Sequence, residues 1–273
     1  MFDNSDNEPI VEYGLIGYPL GHSFSRSFFT EKFERENINA RYTNFQIEKI
    51  SELKNILQRN KTLHGFNVTI PHKQSVIPFL DRVVEEAREI GAVNVVKVEK
   101  DGKLSGYNTD VYGFVESIKP LLIPEIHKKA LVLGTGGASK AVCYGLNKLG
   151  LETARVSRKP TADDYSYAEL SPVLMREYKV IVNTTPVGMY PNTETAPDIP
   201  YDSLTAEHVC FDLVYNPTVT RFMEESRLRG ATVANGLRML HLQAKRSWEI
   251  WISNDEKFSR GAEECANMEA PIL

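Results

Sequence analysis

Leu131-Val132-Leu133-Gly134-Thr135-Gly136-Gly137-Ala138-Ser139 reads as the end of a strand, a tight turn and the start of a helix. That is the context a dinucleotide-binding turn requires. Gly134 allows a sharp reversal and Gly136 lets the backbone come close to a pyrophosphate. The helix N-terminus then offers unpaired N–H groups and a positive dipole end. Ser139 stands where Gly or Ala is usual, a small departure. A purely structural strand-to-helix turn is the alternative reading.

Outward from this turn, short β-branched runs alternate with longer amphipathic stretches, the signature of an α/β fold with a mostly parallel sheet. In the first half, strands are expected over Glu12 to Ile16, Arg41 to Ile47, Gly65 to Ile70 and Ala92 to Val98. Lys103 to Tyr107 is a hairpin partner across Asp101-Gly102. Helices are expected over Ser25 to Asn37, Ile50 to Asn60, Asp81 to Ile90, and from Asn108-Thr109 to about Lys119. Pro120 and Pro124 bracket an irregular connection, read as a domain boundary. The second half begins with a strand at Ala130 to Leu133, and its first helix runs to Leu149, closed by Gly150. Strands follow at Thr153 to Ser157, Val180 to Asn183, His208 to Val214 and Thr232 to Ala234. A helix is expected from Leu237 to about Ile252 and a short one over Ser259 to Met268.

The chain has 273 residues, 42% hydrophobic and 25% charged, with a formal net charge of −4. This is ordinary globular composition and argues against disorder, a fibre or a bulk-electrostatic nucleic-acid binder. No apolar run approaches a membrane span, and the start of the chain has neither the basic nor the apolar region of a secretory signal. Cys143, Cys210 and Cys265 are too few and too scattered for a disulfide framework or a zinc site, and read as free thiols. A cytoplasmic protein is expected, with no nucleic-acid or membrane partner.

About 20 residues past the glycine turn, an NAD site would place Asp or Glu for the ribose 2′-hydroxyl. The chain instead has Ser157-Arg158-Lys159-Pro160. A cation there welcomes a 2′-phosphate, so NADP is the better reading of turn and basic pair together. The alternative is a solvated basic loop, and Asp163 and Asp164 beyond it complicate the picture.

Six ordered stretches carry more than scaffold. They are Gly17-Tyr18-Pro19-Leu20-Gly21-His22-Ser23-Phe24-Ser25, Gly65-Phe66-Asn67-Val68-Thr69-Ile70-Pro71-His72-Lys73, and Gly91-Ala92-Val93-Asn94 with Gly106-Tyr107-Asn108-Thr109-Asp110. The glycine turn, Asn183-Thr184-Thr185-Pro186-Val187-Gly188-Met189 and Asn235-Gly236-Leu237-Arg238-Met239-Leu240-His241-Leu242-Gln243 complete them. In this order, from about residue 13 to 252, they resemble shikimate dehydrogenase.

The resemblance implies two lobes. Residues 1–110, completed by the C-terminal helices of 239–273, would form a mostly parallel α/β substrate-binding domain. Residues 111–238 would form a Rossmann-like NADP-binding domain. The implied activity is reversible, NADPH-dependent reduction of 3-dehydroshikimate to shikimate, a step toward chorismate and the aromatic amino acids, by a monomer or homodimer. Lys73 would be the general acid/base and Asp110 its orienting partner, with no metal needed.

Substrate contacts would come from Ser23, Ser25, Asn67, Thr69, Asn94, Tyr215 and Gln243. Cofactor contacts would come from Gly134, Gly136, Gly137, Ala138, Ser157, Arg158, Lys159, Thr184, Thr185, Pro186, Val214, Gly236 and Met239. Bland alternatives stand beside several of these. Ser25 is a good helix cap, Asn67 and Thr69 suit an edge, Lys73 a solvated surface, Asp110 a helix start, and Met239 a core face. His72 is not expected to be the base. Many family members carry a second arginine after the first, and its absence here weakens the two-sided clamp on a 2′-phosphate. Rival readings are a quinate/shikimate dehydrogenase accepting NAD, a nucleotide-binding homologue without catalysis, and a folate-linked dehydrogenase of similar layout.

Overall fold

The computed structural model describes residues 9–21 and 24–253. His22, Ser23, Cys265 and the expected helix over Ser259 to Met268 lie outside the described residues. Compactness divides the described chain into two units. One runs to Thr109 and resumes at Ala244, and the other is Asp110–Gln243. The irregular connection at Pro120 and Pro124 lies inside the second unit, not at the division.

The first unit comprises β1 (Val11–Gly17), α1 (Phe24–Arg35), β2 (Ala40–Gln46), α2 (Leu53–Arg59), β3 (Leu63–Val68), β4 (Arg82–Val83), α3 (Glu85–Ile90), β5 (Val95–Val98) and β6 (Leu104–Tyr107). The second comprises α4 (Asp110–Ile118), β7 (Lys129–Leu133), α5 (Gly137–Lys148), β8 (Glu152–Ser157), β9 (Asp164–Ser166), α6 (Pro172–Glu177), β10 (Val180–Asn183), β11 (Val209–Asp212), α7 (Arg221–Leu228) and β12 (Thr232–Asn235). The last described helix, α8 (Leu237–Ile252), starts in the second unit and ends in the first.

In the first unit the sheet order is β2-β1-β3-β5-β6-β4. β5 runs against both of its neighbours, while the other pairs are parallel. β1 lies second in this order and is buried from Glu12 onward. Its side chains alternate between two cores, as strand geometry requires. Tyr13 and Leu15 join Phe29, Phe33, Tyr42, Trp248 and Trp251, whereas Ile16 joins Phe66, Val68, Val76 and Val96. Aromatic contacts stack Phe29 on Tyr42 at 4.8 Å and Tyr13 on Trp251 at 4.9 Å. Trp251 spends its indole N–H on the Val96 carbonyl at 3.0 Å, so the end of α8 is pinned to the sheet as well as buried on it.

The second unit is a six-stranded, all-parallel sheet in the order β12-β11-β10-β7-β8-β9. The chain winds one way from β7 and the other way from β10. The switch point therefore falls between these two strands, where open α/β sheets bind ligands at the carboxyl ends. Both faces are covered. Leu131, Leu133 and Ile181 face a core with Met175 of α6 and Phe222 of α7, while Val132, Val182 and Phe211 face Phe114 of α4 and Leu146 of α5. Phe211 is fully buried, so truncation to Ala would cost about 3–5 kcal/mol.

Three expected boundaries are corrected. The strand expected over Gly65 to Ile70 ends at Val68, because Thr69 opens a turn whose carbonyl accepts from His72 N at 2.8 Å. The strand expected from Ala92 starts at Val95, and Asn94 is held instead by side-chain bonds. The helix expected from Asp81 starts only at Glu85. Arg82 and Val83 pair with Ser105 and Gly106, and Asp81 exchanges bonds with Leu104 at 3.0 and 2.8 Å.

Candidate functional site

In the first unit, three of the expected substrate residues, Ser25, Asn67 and Asn94, meet in one hydrogen-bonded cluster. Tyr42, on β2, donates its hydroxyl to Asn67 Oδ1 at 2.8 Å. The Ser25 hydroxyl, near the start of α1, bonds the same phenol, and burial pushes the Tyr42 pKa up despite this bond. Asn67 Nδ2 donates to Ser247 Oγ at 3.0 Å and to the Asn94 carbonyl at 3.3 Å. Asn94 in turn accepts from Thr109 N at 2.7 Å and donates to Thr109 Oγ1 at 3.0 Å. Thr109 Oγ1 lies 3.4 Å from Ser247 Oγ. Ser25, Asn67 and Asn94 are thus brought together. Ser23 lies outside the described residues.

Tyr42, Ser247 and Thr109 join this cluster without having been singled out as ligands. A tyrosine in a strand reads as core, and a lone serine in an amphipathic helix carries no signal. Only the fold brings Asn67 and Ser247 together across 180 positions.

Thr69 follows β3, half-buried, with its N–H on the Ile16 carbonyl at 2.9 Å. Lys73 is half-buried in the turn that follows, and its carbonyl accepts from Val93 N at 2.8 Å. His72 beside it is buried, with Nε2 2.8 Å from the Ile47 carbonyl, so its ring supports the turn.

The second unit holds the remaining candidates. Asp110 is the first residue of α4 and is buried, at the positive end of that helix. Gln243 is half-buried on α8.

The glycine turn follows β7 at the switch point. Gly134 has φ +112°, and a Cβ there would lie 2.8 Å from Thr184 Oγ1, so both conformation and space demand glycine. Gly136 caps α5 in an extended conformation, and a Cβ on it would meet no heavy atom within 4 Å. That open approach beside the first amides of a 12-residue helix fits a pyrophosphate. Gly137 and Ala138 are half-buried in the first turn of that helix. Ser139 is buried and donates to the Gly134 carbonyl at 2.7 Å, which explains how a hydroxyl is tolerated at the third position. Gly150, with φ +83°, follows the end of α5 as expected.

Next to this turn, Thr184 returns its hydroxyl to the Leu133 carbonyl at 2.6 Å. Thr185 donates N–H and hydroxyl to Asn183 Oδ1 at 3.0 and 2.6 Å, and Pro186 is exposed. Asn183 Nδ2 donates to the fully buried Asp212 at 2.9 Å. Asp212 also accepts from Val214 N at 3.0 Å and Thr220 Oγ1 at 2.6 Å. Burial pushes its pKa up to about 6, against the pull of these three donors. Tyr215 follows, half-buried, its pKa raised by burial. Gly236 N donates to the Val214 carbonyl at 3.3 Å. Met239 is packed in the core with Phe114 and Phe211.

At the end of β8, Ser157 is buried and its hydroxyl accepts from Lys159 N at 3.1 Å, leaving the Arg158 and Lys159 side chains in solvent. Asp164, one of the two acids that complicate this loop in the sequence, is committed elsewhere, while Asp163 is exposed. Asp164 accepts from Arg155 Nε at 2.7 Å and from Thr161 Oγ1 and N at 2.7 and 3.2 Å. Burial opposes its ionisation, yet these donors hold its pKa below the usual carboxylate range. Among the described residues there is no His/Cys/Asp/Glu group able to hold a metal, and no helix long and apolar enough to cross a membrane. Cys143 is half-buried and Cys210 buried, both with thiol pKa values raised by burial.

Residues 15–96 match the shikimate dehydrogenase substrate binding domain. The shikimate dehydrogenase (NADP(+)) of Caldanaerobacter subterraneus subsp. tengcongensis is 39% identical over 259 residues, covering 88% of this chain and 90% of the relative. The chain belongs to the shikimate dehydrogenase family. Among solved structures, shikimate 5-dehydrogenase of Thermus thermophilus in complex with NADP(H) and shikimate is 32% identical with a TM-score of 0.78, covering 89% of this chain and 94% of that one. Shikimate 5-dehydrogenase of Listeria monocytogenes in complex with shikimate and NAD is 29% identical with a TM-score of 0.77, covering 94% and 96%. The expected α/β fold class and family membership therefore hold, and the chain is an oxidoreductase of this family.

Proposed function

We propose that the protein catalyses the reversible, NADPH-dependent reduction of 3-dehydroshikimate to shikimate. What supports the reading is that each of the two units carries a candidate site of its own. One is the polar cluster around Asn67 at the end of β3, suited to a polyhydroxylated ligand. The other is the open glycine turn at a parallel-sheet switch point with Arg158 and Lys159 beyond it. The names of the relatives point the same way.

Residues 1–110, with the segment from 239 onward, form the substrate-binding part in this reading, and 111–238 the cofactor-binding part. NADPH supplies the hydride that reduces the ring ketone. Lys73 donates the proton that the new alkoxide oxygen needs, and withdraws it in the reverse direction. Asp110 orients Lys73 and balances its charge. Ser23, Ser25, Asn67, Thr69, Asn94, Tyr215 and Gln243 hold the carboxylate and hydroxyls of the substrate. The amides after Gly136 hold the pyrophosphate, with Gly134, Gly137 and Ala138 shaping the turn. Ser157, Arg158 and Lys159 receive the 2′-phosphate, and Thr184, Thr185, Pro186, Val214, Gly236 and Met239 flank the rest of the cofactor. We assign the protein to the cytoplasm, as a monomer or homodimer.

The test is reduction of NADP by shikimate, followed at the absorbance of the reduced nicotinamide, beside NAD and quinate controls. Turnover with shikimate and NADP supports the reading. Tight NADPH binding without turnover, or a preference for quinate with NAD, overturns it.

A further inference from the structure

The Asn67 side-chain amide has a fixed polarity, and neighbours behind it set that polarity. An amide can be turned end for end, and a hydroxyl neighbour tolerates either orientation because it both donates and accepts. Tyr42 and Ser247 are such neighbours. The Asn94 carbonyl is not, since it only accepts, and it lies 3.3 Å from one end of the Asn67 amide. That end must be the NH2 group. Its two N–H bonds are then spent on Asn94 O and on Ser247 Oγ, at 3.3 and 3.0 Å. The oxygen faces Tyr42, whose hydroxyl donates to it at 2.8 Å. Ser25 bonds the same phenol, and the Tyr42 proton is directed toward Asn67. Burial keeps the phenol neutral and therefore able to donate.

With both N–H bonds used, the half-buried amide has only the second lone pair of its oxygen to offer a ligand. We propose that Tyr42 and Ser247 are positioning residues that make Asn67 an acceptor only, so that this point of the substrate site selects a ligand hydroxyl and rejects a carbonyl or ether oxygen. Tyr42 is 5% exposed and Ser247 fully buried, so both act through Asn67. Asparagine is matched to the task in a way aspartate is not. A carboxylate in its place would set an oxygen against the Asn94 carbonyl. The inference rests on the substrate reading above for the identity of the ligand, but the amide polarity stands independently of it.

Two measurements on the full chain test it. The first needs no ligand and no variant beyond assignment. In 15N-labelled protein, the Asn67 side-chain amide protons, assigned by their loss in Asn67→Asp, should exchange with solvent at least about ten-fold more slowly than those of exposed asparagines. Exchange at the exposed rate overturns the arrangement. The second is kinetic. Tyr42→Phe and Ser247→Ala, each removing one hydroxyl, should raise the KM for shikimate about three- to ten-fold and leave the KM for NADP within about two-fold. Ser247→Ala should also speed exchange of the Asn67 amide protons. Shikimate KM values within about two-fold of wild type in both variants, or equal rises for shikimate and NADP, overturn the positioning role. A wild-type chain that binds shikimate without oxidising it fails the functional reading alone. In that case the same comparison is made on shikimate Kd, with the same outcomes.

Discussion

Asn183 and Asp212 stand directly opposite each other at the ends of β10 and β11, and the Asn183 amide donates to the buried carboxylate at 2.9 Å. Through this pair two loops become one unit. Asn183 Oδ1 holds Thr185, and Asp212 holds Val214 and the Thr220 cap of α7. The expected cofactor contacts Thr185 and Val214 are therefore braced through one carboxylate.

That carboxylate has a cost that depends on pH. Burial raises the Asp212 pKa to about 6, above the ordinary 3.8. With the folded value raised, the group's contribution to stability is fully present below the unfolded pKa and is lost as pH rises through about 6. The expected size is on the order of 2–3 kcal/mol. Chemical denaturation from about pH 3.5 to 7 should show wild type losing stability relative to Asp212→Asn as pH increases, most of it between the two pKa values. A difference that stays flat over that range contradicts the raised pKa.

The two glycines of the turn separate folding from binding. Gly134→Ala forces a side chain into φ +112° and against Thr184, so it should lower stability by about 1–3 kcal/mol as well as weaken cofactor binding. Gly136→Ala adds a methyl in open space at φ −76°, which should leave the melting temperature nearly unchanged. If that space is where the pyrophosphate approaches, NADPH affinity should still fall about ten-fold or more. Calorimetric titration beside thermal melts reads both, and unaltered NADPH binding in Gly136→Ala would remove the pyrophosphate from this position.

What the sequence discloses follows the range of the forces involved. α8 is expected from Leu237 to about Ile252 on its apolar spacing and is found at Leu237–Ile252. The Gly134 turn is legible because conformation and chemistry both act within nine residues. α7 has no counterpart among the expected elements. Of its eight residues only Phe222, Met223 and Ser226 are buried, too few to print a helical period, although Thr220 offers a cap. α6 is announced only by Ser171-Pro172, a cap followed by a proline in the first turn. β4 and β9, of two and three residues, exist because neighbouring strands offer them partners. The hydrogen-bonded cluster around Asn67 shows the same limit. Its amides and Ser25 are readable as chemistry, but Tyr42 and Ser247 gain meaning only from contacts that the fold creates.

Arg158 and Lys159 are the residues proposed to set cofactor choice. Asp164 is tied to Arg155 and Thr161, so it does not neutralise them, and both side chains lie in solvent. Arg158→Ala should weaken NADPH binding by about ten-fold or more while changing NADH binding little. Lys159→Ala should have the same sign and a smaller effect, because an ammonium meets a phosphate as a point charge without a bidentate fork. Equal losses for both cofactors in Arg158→Ala would refute a 2′-phosphate role.

Lys73 is the proposed proton donor and acceptor of the reaction. Replacing the proposed proton donor by alanine removes none of the bonds that join Tyr42, Asn67, Asn94, Thr109 and Ser247 to one another. Lys73→Ala should therefore lower kcat by about 10²–10⁴-fold while shikimate still binds with an affinity near that of wild type. Its backbone bond to Val93 survives the substitution, so the turn should keep its shape. Asp110→Asn should also depress kcat, through the lysine it is proposed to orient. Steady-state kinetics with equilibrium binding of shikimate distinguishes the cases. A loss confined to kcat supports proton transfer by Lys73. A loss confined to binding makes Lys73 a substrate anchor, and near-normal turnover in Lys73→Ala removes the pair from the mechanism.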